Sequence, residues 1–296
     1  MSILRDNVNE GPGGLRKLIK RGQVVAPGVF DGISALLAQK AGFKALYLSG
    51  SGIAGKSGLP DLGVTTLGEV AEDVRHIVSV SKLPVIVDAD TGFGEALNVI
   101  RAVRELEAAG AAAIHVEDQE MPKKCGHLSG KRIVPIEEME RKIRAAVSAR
   151  RNDEFLIIAR TDARSAEGIE GAIERAKAYA EAGADAIFPE ALESRDEFAL
   201  FAKKVRKPLM ANMTEFGKSP LLSADELERI GYRIVIFPLT AFRASMLAME
   251  LAYGQLYRDG TQKRFIDRLM TREGFYGLIG YHAYEKEDME IHDDKL

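Results

Sequence analysis

Short apolar runs alternate with longer stretches of helical periodicity along most of the chain. Eight apolar runs end in polar or glycine-rich turns, and they predict strands at residues 24–30, 45–49, 84–88, 112–117, 155–161, 186–190, 208–213 and 233–237. Between these runs, apolar residues recur at helical spacing, as they do at Ile169, Ala172, Ile173 and Ala176. The spacing predicts amphipathic helices, of which the clearest are at residues 97–109, 136–149, 169–182 and 195–205.

Residues that start and end helices stand at the junctions of this pattern. Ser223, with Glu226 three residues later, forms a capping box at the start of the last crossover helix. A glycine, which commonly ends a helix in the left-handed conformation, precedes several predicted strands, namely Gly42, Gly110, Gly183 and Gly231. These signals indicate that the helices stop just before the strands begin.

Strands that alternate with helices predict a parallel sheet. Eight such units in 296 residues favour an α/β fold with a closed (β/α)8 TIM-type barrel over an open doubly wound sheet. The turn after the first strand, at residues 31–34, lacks the GxGxxG fingerprint of many doubly wound folds. We therefore predict one barrel domain over residues 1–296. Residues from about 252 to 296 would form a C-terminal helical extension, as a cap or a subunit contact.

Composition narrows the class of protein. Hydrophobic residues make up 46% of the chain and charged residues 29%, a globular balance. The net charge of −3, with both signs interspersed, argues against a nucleic-acid-binding surface. No apolar run approaches the ~20 residues of a membrane span. A single cysteine precludes an internal disulfide and fits a reducing cytoplasm, and Asp6 and Glu10 near the start predict no signal peptide.

Polar and charged side chains follow the predicted strands, at the points where the strands end. The carboxyl ends of barrel strands meet at one face, where the chemistry of such folds is found. We therefore expect an active site built from the residues at these ends: Asp31, Ser49, Gly50, Ser51, Asp88, Asp90, Glu117, Asp118, Arg160, Thr161, Asp162, Glu190, Asn212, Met213, Thr214, Glu215 and Arg243.

Asp88 and Asp90 form a candidate metal site. They are two residues apart in an extended segment, so their side chains point to the same side. Together with Glu117 they offer only oxygen ligands, which suit Mg²⁺, with Mn²⁺ as the alternative, better than zinc. A structural alternative is that Asp90 caps the helix that begins after Gly94.

Arg160, Arg243 and Arg272 form a candidate anion site. Arginine binds carboxylates through two parallel hydrogen bonds, and arginines beside a divalent cation suggest a small polyanionic substrate. The alternative is structural ion pairing with Asp162 or Glu190.

Cys125, the only cysteine, lies in the sequence KKCGH. Lys123, Lys124 and a protonated His127 would favour its thiolate form, which makes it a candidate proton-transfer group. The alternative is a small buried hydrophobic residue.

At this point a family resemblance is visible along almost the whole chain. The segments YLSGSG (47–52), GLPDLG (58–63), VDADTGFG (87–94), HVEDQ (115–119), KKCGH (123–127), ARTDA (159–163), FPE (188–190), NMTEFG (212–217), PLTAFRA (238–244) and TRE (271–273) occur in order. They resemble the methylisocitrate lyases, a family of the isocitrate lyase and phosphoenolpyruvate mutase superfamily.

The resemblance implies a (β/α)8 barrel that uses Mg²⁺ to cleave 2-methylisocitrate, a small tricarboxylate, to pyruvate and succinate. It also implies a homo-oligomer, a tetramer in which C-terminal helices are exchanged between barrels. Two alternatives stay open. One is another superfamily enzyme that acts on isocitrate, oxaloacetate or phosphonopyruvate, and the other is a barrel that binds a dicarboxylate without catalysis.

The same resemblance implies roles for individual residues. Asp88 and Asp90 would be the metal-associated acids, with Glu117 acting through a water molecule. Cys125, on a loop that closes over the substrate, would be the catalytic cysteine. Our hypothesis for the chemistry is that Cys125 acts as the general acid, that Lys123 and His127 help to set its protonation, and that Tyr47 accepts the hydroxyl proton. The substrate-contacting positions would be Ser49, Gly50, Ser51, Gly126, Arg160, Glu190, Asn212, Met213, Thr214, Arg243 and Arg272.

Three apolar residues at strand ends, Phe188, Ile236 and Pro238, would form the pocket for the substrate's extra methyl group, with simple barrel packing as the alternative. One departure from the family pattern is visible, because Ser51 stands where the family commonly has glycine. A serine there could add a hydrogen bond or crowd a carboxylate.

Overall fold

The computed structural model describes residues 8–293 of the chain. All eight predicted strands are present, and no strand end differs from its predicted position by more than two residues. The strands are β1 (Val24–Val29), β2 (Leu46–Leu48), β3 (Val85–Asp88), β4 (Ala113–Glu117), β5 (Leu156–Thr161), β6 (Ala186–Pro189), β7 (Met210–Asn212) and β8 (Ile234–Phe237). The signal-peptide prediction rests partly on residues 1–7, which lie outside the described residues.

The helices follow the strands in regular alternation. They are α1 (Gly11–Arg21), α2 (Gly32–Lys40), α3 (Gly50–Lys56), α4 (Leu67–Val80), α5 (Ala96–Ala108), α6 (Ile136–Ala149), α7 (Arg164–Glu181), α8 (Arg195–Lys204), α9 (Ala224–Ile230), α10 (Thr240–Asp259), α11 (Arg272–Ile279) and α12 (Tyr281–Asp293). The four clearest predicted helices are confirmed as α5 to α8. Helix α7 starts at Arg164, five residues before the predicted start. Gly168, with φ 76°, kinks the helix there, and this kink interrupts the helical pattern before residue 169.

The eight strands form a parallel ring in the order β6-β5-β4-β3-β2-β1-β8-β7. Neighbouring strands pair in parallel register, for example Glu117 with Arg160 between β4 and β5. Strands β6 and β7 meet at a single parallel bridge between Ile187 and Leu209, which closes the ring. The (β/α)8 barrel prediction is therefore confirmed.

Two apolar layers hold the barrel together. Inside the ring, side chains such as Ile86, Ile158 and Ile234 pack with Leu15 of α1, a helix that the sequence pattern did not single out. Between the strands and the surrounding helices lies a larger cluster that includes Val87 and Ile143. Because both faces of the strands are buried, their polar residues are concentrated at the strand ends.

The helix ends agree with the predicted cap chemistry. Gly42, Gly110, Gly183 and Gly231 adopt φ values of 100°, 100°, 112° and 115° after α2, α5, α7 and α9. Ser223 and Glu226 form the reciprocal capping box at the start of α9. These turns bring the chain back to the amino end of the next strand.

The C-terminal part differs in detail from the predicted extension. Helix α10 continues through residue 252 without a break and buries none of its side chains. Large apolar side chains are exposed along it, including Met246, Leu247, Met249, Leu251, Tyr253, Leu256 and Tyr257. Helix α11 packs against α2 on the flank of the barrel. Within the described residues, no helix has the length and apolarity needed to cross a membrane.

Candidate active site

A small polar cavity opens at the carboxyl ends of the strands. Its volume is about 40 Å³, which has room for only a few water molecules. The loop that contains KKCGH forms one wall, and the strand ends form the floor. The lining residues are Tyr47, Ser49, Ser51, Asp61, Asp88, Lys123, Lys124, Cys125, Gly126, His127, Arg160, Glu190, Asn212, Thr214, Pro238 and Leu239.

Asp88, at the end of β3, anchors the acidic side of this cavity. Its Oδ2 atom accepts a hydrogen bond from the backbone N–H of Gly50 at 3.1 Å. A side chain on Gly50 would place its Cβ 3.0 Å from that oxygen, so a larger residue there would push on the Asp88 carboxylate. Although burial disfavours the charged form, His115, Lys123 and Arg160 hold the pKa of the Asp88 carboxyl below its ordinary range.

Asp90 adopts a strained conformation beside Asp88. Its φ is 46°, which is uncommon for a residue other than glycine and is typical of functional sites. Its backbone N–H donates to Asp88 Oδ1 at 3.0 Å, and its carbonyl accepts from the Glu117 N–H at 2.9 Å. The N-cap of α5 is Glu95, so the helix-cap alternative for Asp90 was wrong.

Lys123 and Asp61 complete the acidic side. The Lys123 ammonium lies 2.6 Å from Asp90 Oδ1 and also contacts Asp61. Asp61 accepts a second hydrogen bond from the Ser51 hydroxyl. The sequence reasoning named Lys123 and Ser51 but missed Asp61, whose only signal was its place in the GLPDLG segment.

Glu117 is the most deeply buried acid of this group. Its Oε2 atom lies 3.1 Å from Arg160 Nη1, yet within the described residues neither carboxylate oxygen has a hydrogen bond of good geometry. Burial raises the pKa of the Glu117 carboxyl well above its ordinary value. Burial and the neighbouring Asp88 also raise the pKa of Asp90 to about 6.

Three buried carboxylate oxygens test whether the site fits a divalent metal. In residues 8–293, Glu117 Oε1 has no hydrogen-bond partner, whereas Asp90 Oδ1 and Glu117 Oε2 lie 2.6 and 3.1 Å from the cations of Lys123 and Arg160 without a hydrogen bond of good geometry. In the same part of the chain, no three His, Cys, Asp or Glu side chains converge as a ready ligand set. Mg²⁺ commonly uses one or two carboxylates and keeps several waters, so a full protein cage is not needed. The residues therefore fit a hydrated dication.

Arg160, at the end of β5, crosses the cavity floor. It donates from Nε to Asp162 Oδ2 at 2.9 Å and lies 3.7 Å from Glu190 Oε2. Its guanidinium also stacks over the Phe188 ring, 5.2 Å from the ring centroid. Arg160 therefore forms the structural ion pairs with Asp162 and Glu190 and also lines the cavity, where it can contact an anionic substrate. The structural role and the anion-binding role are compatible.

Glu190 organises the side of the cavity opposite the acids. It accepts hydrogen bonds from Asn212 Nδ2 at 3.2 and 3.3 Å, and its Oε1 lies 2.7 Å from His127 Nε2. The other ring nitrogen of His127 accepts from the Lys218 N–H at 3.0 Å. Burial opposes ionisation, but Arg160 and His127 lower the pKa of Glu190 to about 2. Glu190 is therefore ionised at neutral pH.

Cys125 lies on the loop wall of the same cavity as Asp88. The prediction that its surroundings favour a thiolate was wrong. Burial raises the pKa of the thiol, and the nearby Glu190 and Asp61 carboxylates add to that effect, whereas Arg160 opposes it. Lys123, which the prediction counted on to favour the thiolate, is ion-paired with Asp61 and Asp90. The group is therefore a protonated thiol at neutral pH.

Tyr47 lies on the cavity floor and contacts His115. The sequence reasoning named Tyr47 but missed His115. The phenol oxygen and His115 Nε2 are 2.9 Å apart. Burial and the nearby Asp88 raise the pKa of Tyr47 well above its ordinary value. Burial lowers the pKa of His115 to about 4, so both groups are neutral at physiological pH. The signal for His115 was its position beside Glu117 on β4.

Several predicted site residues lie elsewhere in the single chain. Phe188 and Ile236 are fully buried in the apolar interior of the barrel, and Met213 packs between strands and helices. Of the three predicted methyl-pocket residues only Pro238 lines the cavity, beside Leu239, which was not predicted.

Two arginines and one aspartate also lie outside the cavity lining. Arg243 is 41% exposed and lies 3.6 Å from Glu215. Arg272 is exposed at the start of α11. Asp31 caps α2 by accepting the Ser34 N–H at 2.7 Å, which is a structural role.

Comparison with known proteins gives a consistent family. Residues 15–257 match the family described as phosphoenolpyruvate phosphomutase. The chain is 58% identical to "2-methylisocitrate lyase" of Aeropyrum pernix over 98% of this chain and 94% of that protein. It is 48% identical to "2-methylisocitrate lyase" of Bacillus subtilis, covering 94% and 92% of the two chains.

Solved structures agree with this assignment. The crystal structure of 2,3-dimethylmalate lyase superposes with a TM-score of 0.89 at 38% identity, covering 95% of each chain. Phosphonopyruvate hydrolase in complex with oxalate and Mg²⁺ superposes with a TM-score of 0.85 at 32% identity, covering 93% and 96%. The chain therefore belongs to the phosphoenolpyruvate phosphomutase family and groups there with the 2-methylisocitrate lyases, as an enzyme of the lyase class.

Proposed function

We propose that this enzyme cleaves 2-methylisocitrate to pyruvate and succinate in a reaction that needs Mg²⁺ or Mn²⁺. The observation that carries the proposal is that Cys125, Asp88 and Arg160 line one cavity in a chain whose relatives are 2-methylisocitrate lyases. A thiol, an acid cluster and an arginine are the three groups that such a cleavage needs. They act as a proton donor, a cation site and a carboxylate clamp.

The acid cluster would hold the cation through Asp88 and Asp90, with Glu117 acting through a water molecule. The bound cation would act as a Lewis acid that lowers the pKa of the substrate's hydroxyl group. Lys123 neutralises part of the cluster through its contacts with Asp61 and Asp90. It keeps these carboxylates close together in a buried site, where they would otherwise repel one another.

Tyr47 and His115 form a route for the hydroxyl proton. Because burial keeps Tyr47 protonated, its oxygen can accept a proton only if it passes its own to His115 Nε2, 2.9 Å away. The resulting imidazolium would be stabilised by Asp88, whose Oδ1 lies 3.6 Å from the same nitrogen. In this step the hydroxyl oxygen becomes the pyruvate carbonyl, and the bond between the hydroxyl-bearing carbon and the succinate carbon breaks.

Arg160 and Cys125 would act on the succinate half. The bond electrons move to the succinate carbon and its carboxylate, and the Arg160 guanidinium stabilises this charge, together with Asn212 and Thr214 at the cavity wall. Cys125 then donates its proton to that carbon and becomes a thiolate. The raised pKa of the thiol supports this role, because a general acid must hold its proton before the step.

A substrate panel tests the proposal. The purified protein with Mg²⁺ is given 2-methylisocitrate, isocitrate, oxaloacetate and phosphonopyruvate, and the release of pyruvate or glyoxylate is measured. We expect the highest kcat/KM on 2-methylisocitrate. A methyl-sized difference is worth only about 1–3 kcal/mol, so slower cleavage of isocitrate is also expected. A preference for oxaloacetate or phosphonopyruvate would assign the chain to another activity of its superfamily. Binding without turnover on every compound would favour a non-catalytic barrel.

The oligomeric state is part of the proposal. We propose a cytoplasmic homotetramer, in which C-terminal helices are exchanged between barrels. The exposed apolar residues on α10 and the absence of Arg272 from the residues that line the cavity in the described chain support an exchange. Co-expression of Cys125→Ser with Arg272→Ala subunits tests it. If Arg272 serves a neighbouring barrel, mixed oligomers recover part of the activity that each variant alone lacks. No recovery, or a monomer in light scattering, would overturn the exchange.

A further inference from the structure

Lys131 belongs to the same loop as Cys125, and its buried side chain links that loop to the barrel. Its ammonium contacts the carbonyl oxygen of Gly126 and lies 2.6 Å from Asp162 Oδ1. The Lys131 side chain is 1% exposed, and that of Asp162 is 0% exposed. A lysine this deeply buried is uncommon unless its charge is paired, so the contact is a built feature of the loop.

Asp162 connects this contact to the arginine of the cavity. Its two carboxylate oxygens also accept hydrogen bonds from Arg160, at 2.9 Å from Nε and 3.2 Å from Nη2. Its backbone N–H donates to Asp118 Oδ1 at 2.8 Å, which fixes its position at the end of β5. The Asp162 carboxylate therefore binds Arg160 directly and holds Gly126, the residue after Cys125, through Lys131.

The loop is held in a closed position by these contacts. Gly126 packs so tightly on Glu190 and Arg160 that a Cβ there would lie 2.3 Å from Glu190 Cγ and 2.6 Å from Arg160 Nη2. The cavity of about 40 Å³ leaves little room for a tricarboxylate, so we expect the loop to move when such a substrate enters. The contacts that keep the loop closed would then break and re-form as substrate enters and product leaves.

We propose that Lys131 is a positioning residue that latches the Cys125 loop onto Asp162 and so sets the place of the thiol over the substrate site. The role of the latch in turnover rests on the proposed lyase activity, whereas its role in closing the loop does not. Other contacts also hold the loop, such as the paired hydrogen bonds between Gln119 and the Lys124 backbone at 2.8 and 3.0 Å. Loss of Lys131 is therefore expected to loosen the loop without unfolding the barrel.

The single cysteine makes the test specific, because a thiol reagent can report only on Cys125. The rate of alkylation by iodoacetamide is measured in the substrate-free protein for Lys131→Met, Lys131→Gln and Arg132→Met. Arg132 is the matched control, since it is the next residue of the loop but its side chain is 73% exposed and forms an ion pair with Glu120 at 2.9 Å on the surface. We expect Lys131→Met to raise the rate by about tenfold, the scale of one lost charge-assisted hydrogen bond.

The direction of the change in alkylation rate shows whether the variant exposes the Cys125 thiol or only changes the charge around it. Removing a positive charge near a thiol disfavours the thiolate and would slow alkylation, so a faster reaction reports an open loop. Lys131→Gln keeps a neutral donor for the Gly126 carbonyl and should fall between the other two variants. An unchanged alkylation rate in Lys131→Met, with its melting temperature near that of the parent protein, would overturn the latch.

Turnover gives a second and separate readout. If the lyase activity is established, Lys131→Met should lower kcat more than it raises KM, because Arg160 keeps Asp162, Glu117 and Glu190 as partners. A rise in KM alone would contradict the positioning of the thiol. If no lyase activity is found, the alkylation rates still decide whether the latch exists.

Discussion

The phenol oxygen of Tyr47 lies 2.9 Å from His115 Nε2, and the two rings stack at 5.8 Å beneath the cavity. Both groups are held neutral by burial, so they can pass a proton from one to the other but cannot act alone as a charged base. Tyr47→Phe removes the accepting oxygen. We expect kcat to fall by about 10²-fold or more, with KM changed much less. Steady-state kinetics and circular dichroism check this, and near-parent turnover would remove Tyr47 from the proton route.

Tyr232 offers a matched control for that substitution. Its phenol is also buried, but within the described residues its oxygen has no hydrogen-bond partner, and it lies at the amino end of β8, away from the cavity. Tyr232→Phe should leave kcat unchanged. Because an unsatisfied buried hydroxyl is costly, the variant should be more stable by up to about 1 kcal/mol. Denaturant unfolding measures the change, and a clear loss of stability would indicate a missed partner for this hydroxyl.

If Cys125 is the general acid, as proposed, its pKa should set the alkaline limit of activity. Burial raises it above the ordinary value of 9.0, and the general-acid role needs the protonated form. Activity attributable to this group is therefore fully present at neutral pH and is lost as pH rises through the raised pKa. The pH dependence of Cys125 alkylation measures the same titration directly. A thiol that titrates below pH 8 would contradict both the burial argument and the general-acid assignment.

Cys125→Ser tests the chemical role of the same residue. Serine keeps the size of the side chain but is a much weaker acid, so we expect turnover to fall by about 10²–10⁴-fold. Binding of succinate should persist, because Arg160 and Asn212 remain. Isothermal titration with succinate provides this control. Turnover close to that of the parent protein would exclude Cys125 from the mechanism.

The strands and the barrel were predictable because they depend on local patterns, whereas the site depends on contacts between distant segments. Asp61 lies 62 residues from its partner Lys123, in a loop without periodicity, so no spacing rule could reveal the pair. The protonation of Cys125 was misjudged for a related reason. Its sequence neighbour Lys123 points to the acids, and burial, which only the fold shows, decides the pKa.

The sequence resemblance singled out Ser51 as a departure from the family pattern, and the structure gives this residue a definite contact. Its hydroxyl donates to Asp61, which also pairs with Lys123. Ser51→Ala should loosen this carboxylate and weaken Mg²⁺ or Mn²⁺ binding by about tenfold, as loss of an outer-shell hydrogen bond commonly does. Titration calorimetry with Mn²⁺ measures the affinity. Ser245→Ala is the control, since this serine only donates to the Phe242 carbonyl within α10. Equal affinities in all three proteins would leave Ser51 without a role at the site.

Removal of divalent metal tests the acid cluster as a whole. The carboxyl groups of Asp61, Asp88, Asp90 and Glu117 all lie close enough to Lys123 to raise its pKa, and Arg160 pairs with Glu117 at 3.1 Å. Within the described residues, three oxygens of Asp90 and Glu117 have no hydrogen bond of good geometry. A bound dication relieves this repulsion only in the folded protein, so it must stabilise the fold. At a free cation concentration of about 100 times Kd, the free energy of unfolding rises by about 2.7 kcal/mol.

Treatment with EDTA should therefore lower the melting temperature and abolish turnover, and Mg²⁺ should restore both. In Asp90→Asn the melting temperature should respond less to Mg²⁺, because one carboxylate charge is gone. A melting temperature that ignores both EDTA and Mg²⁺ would show that this cluster binds no cation, even if the barrel cleaves its substrate by another route.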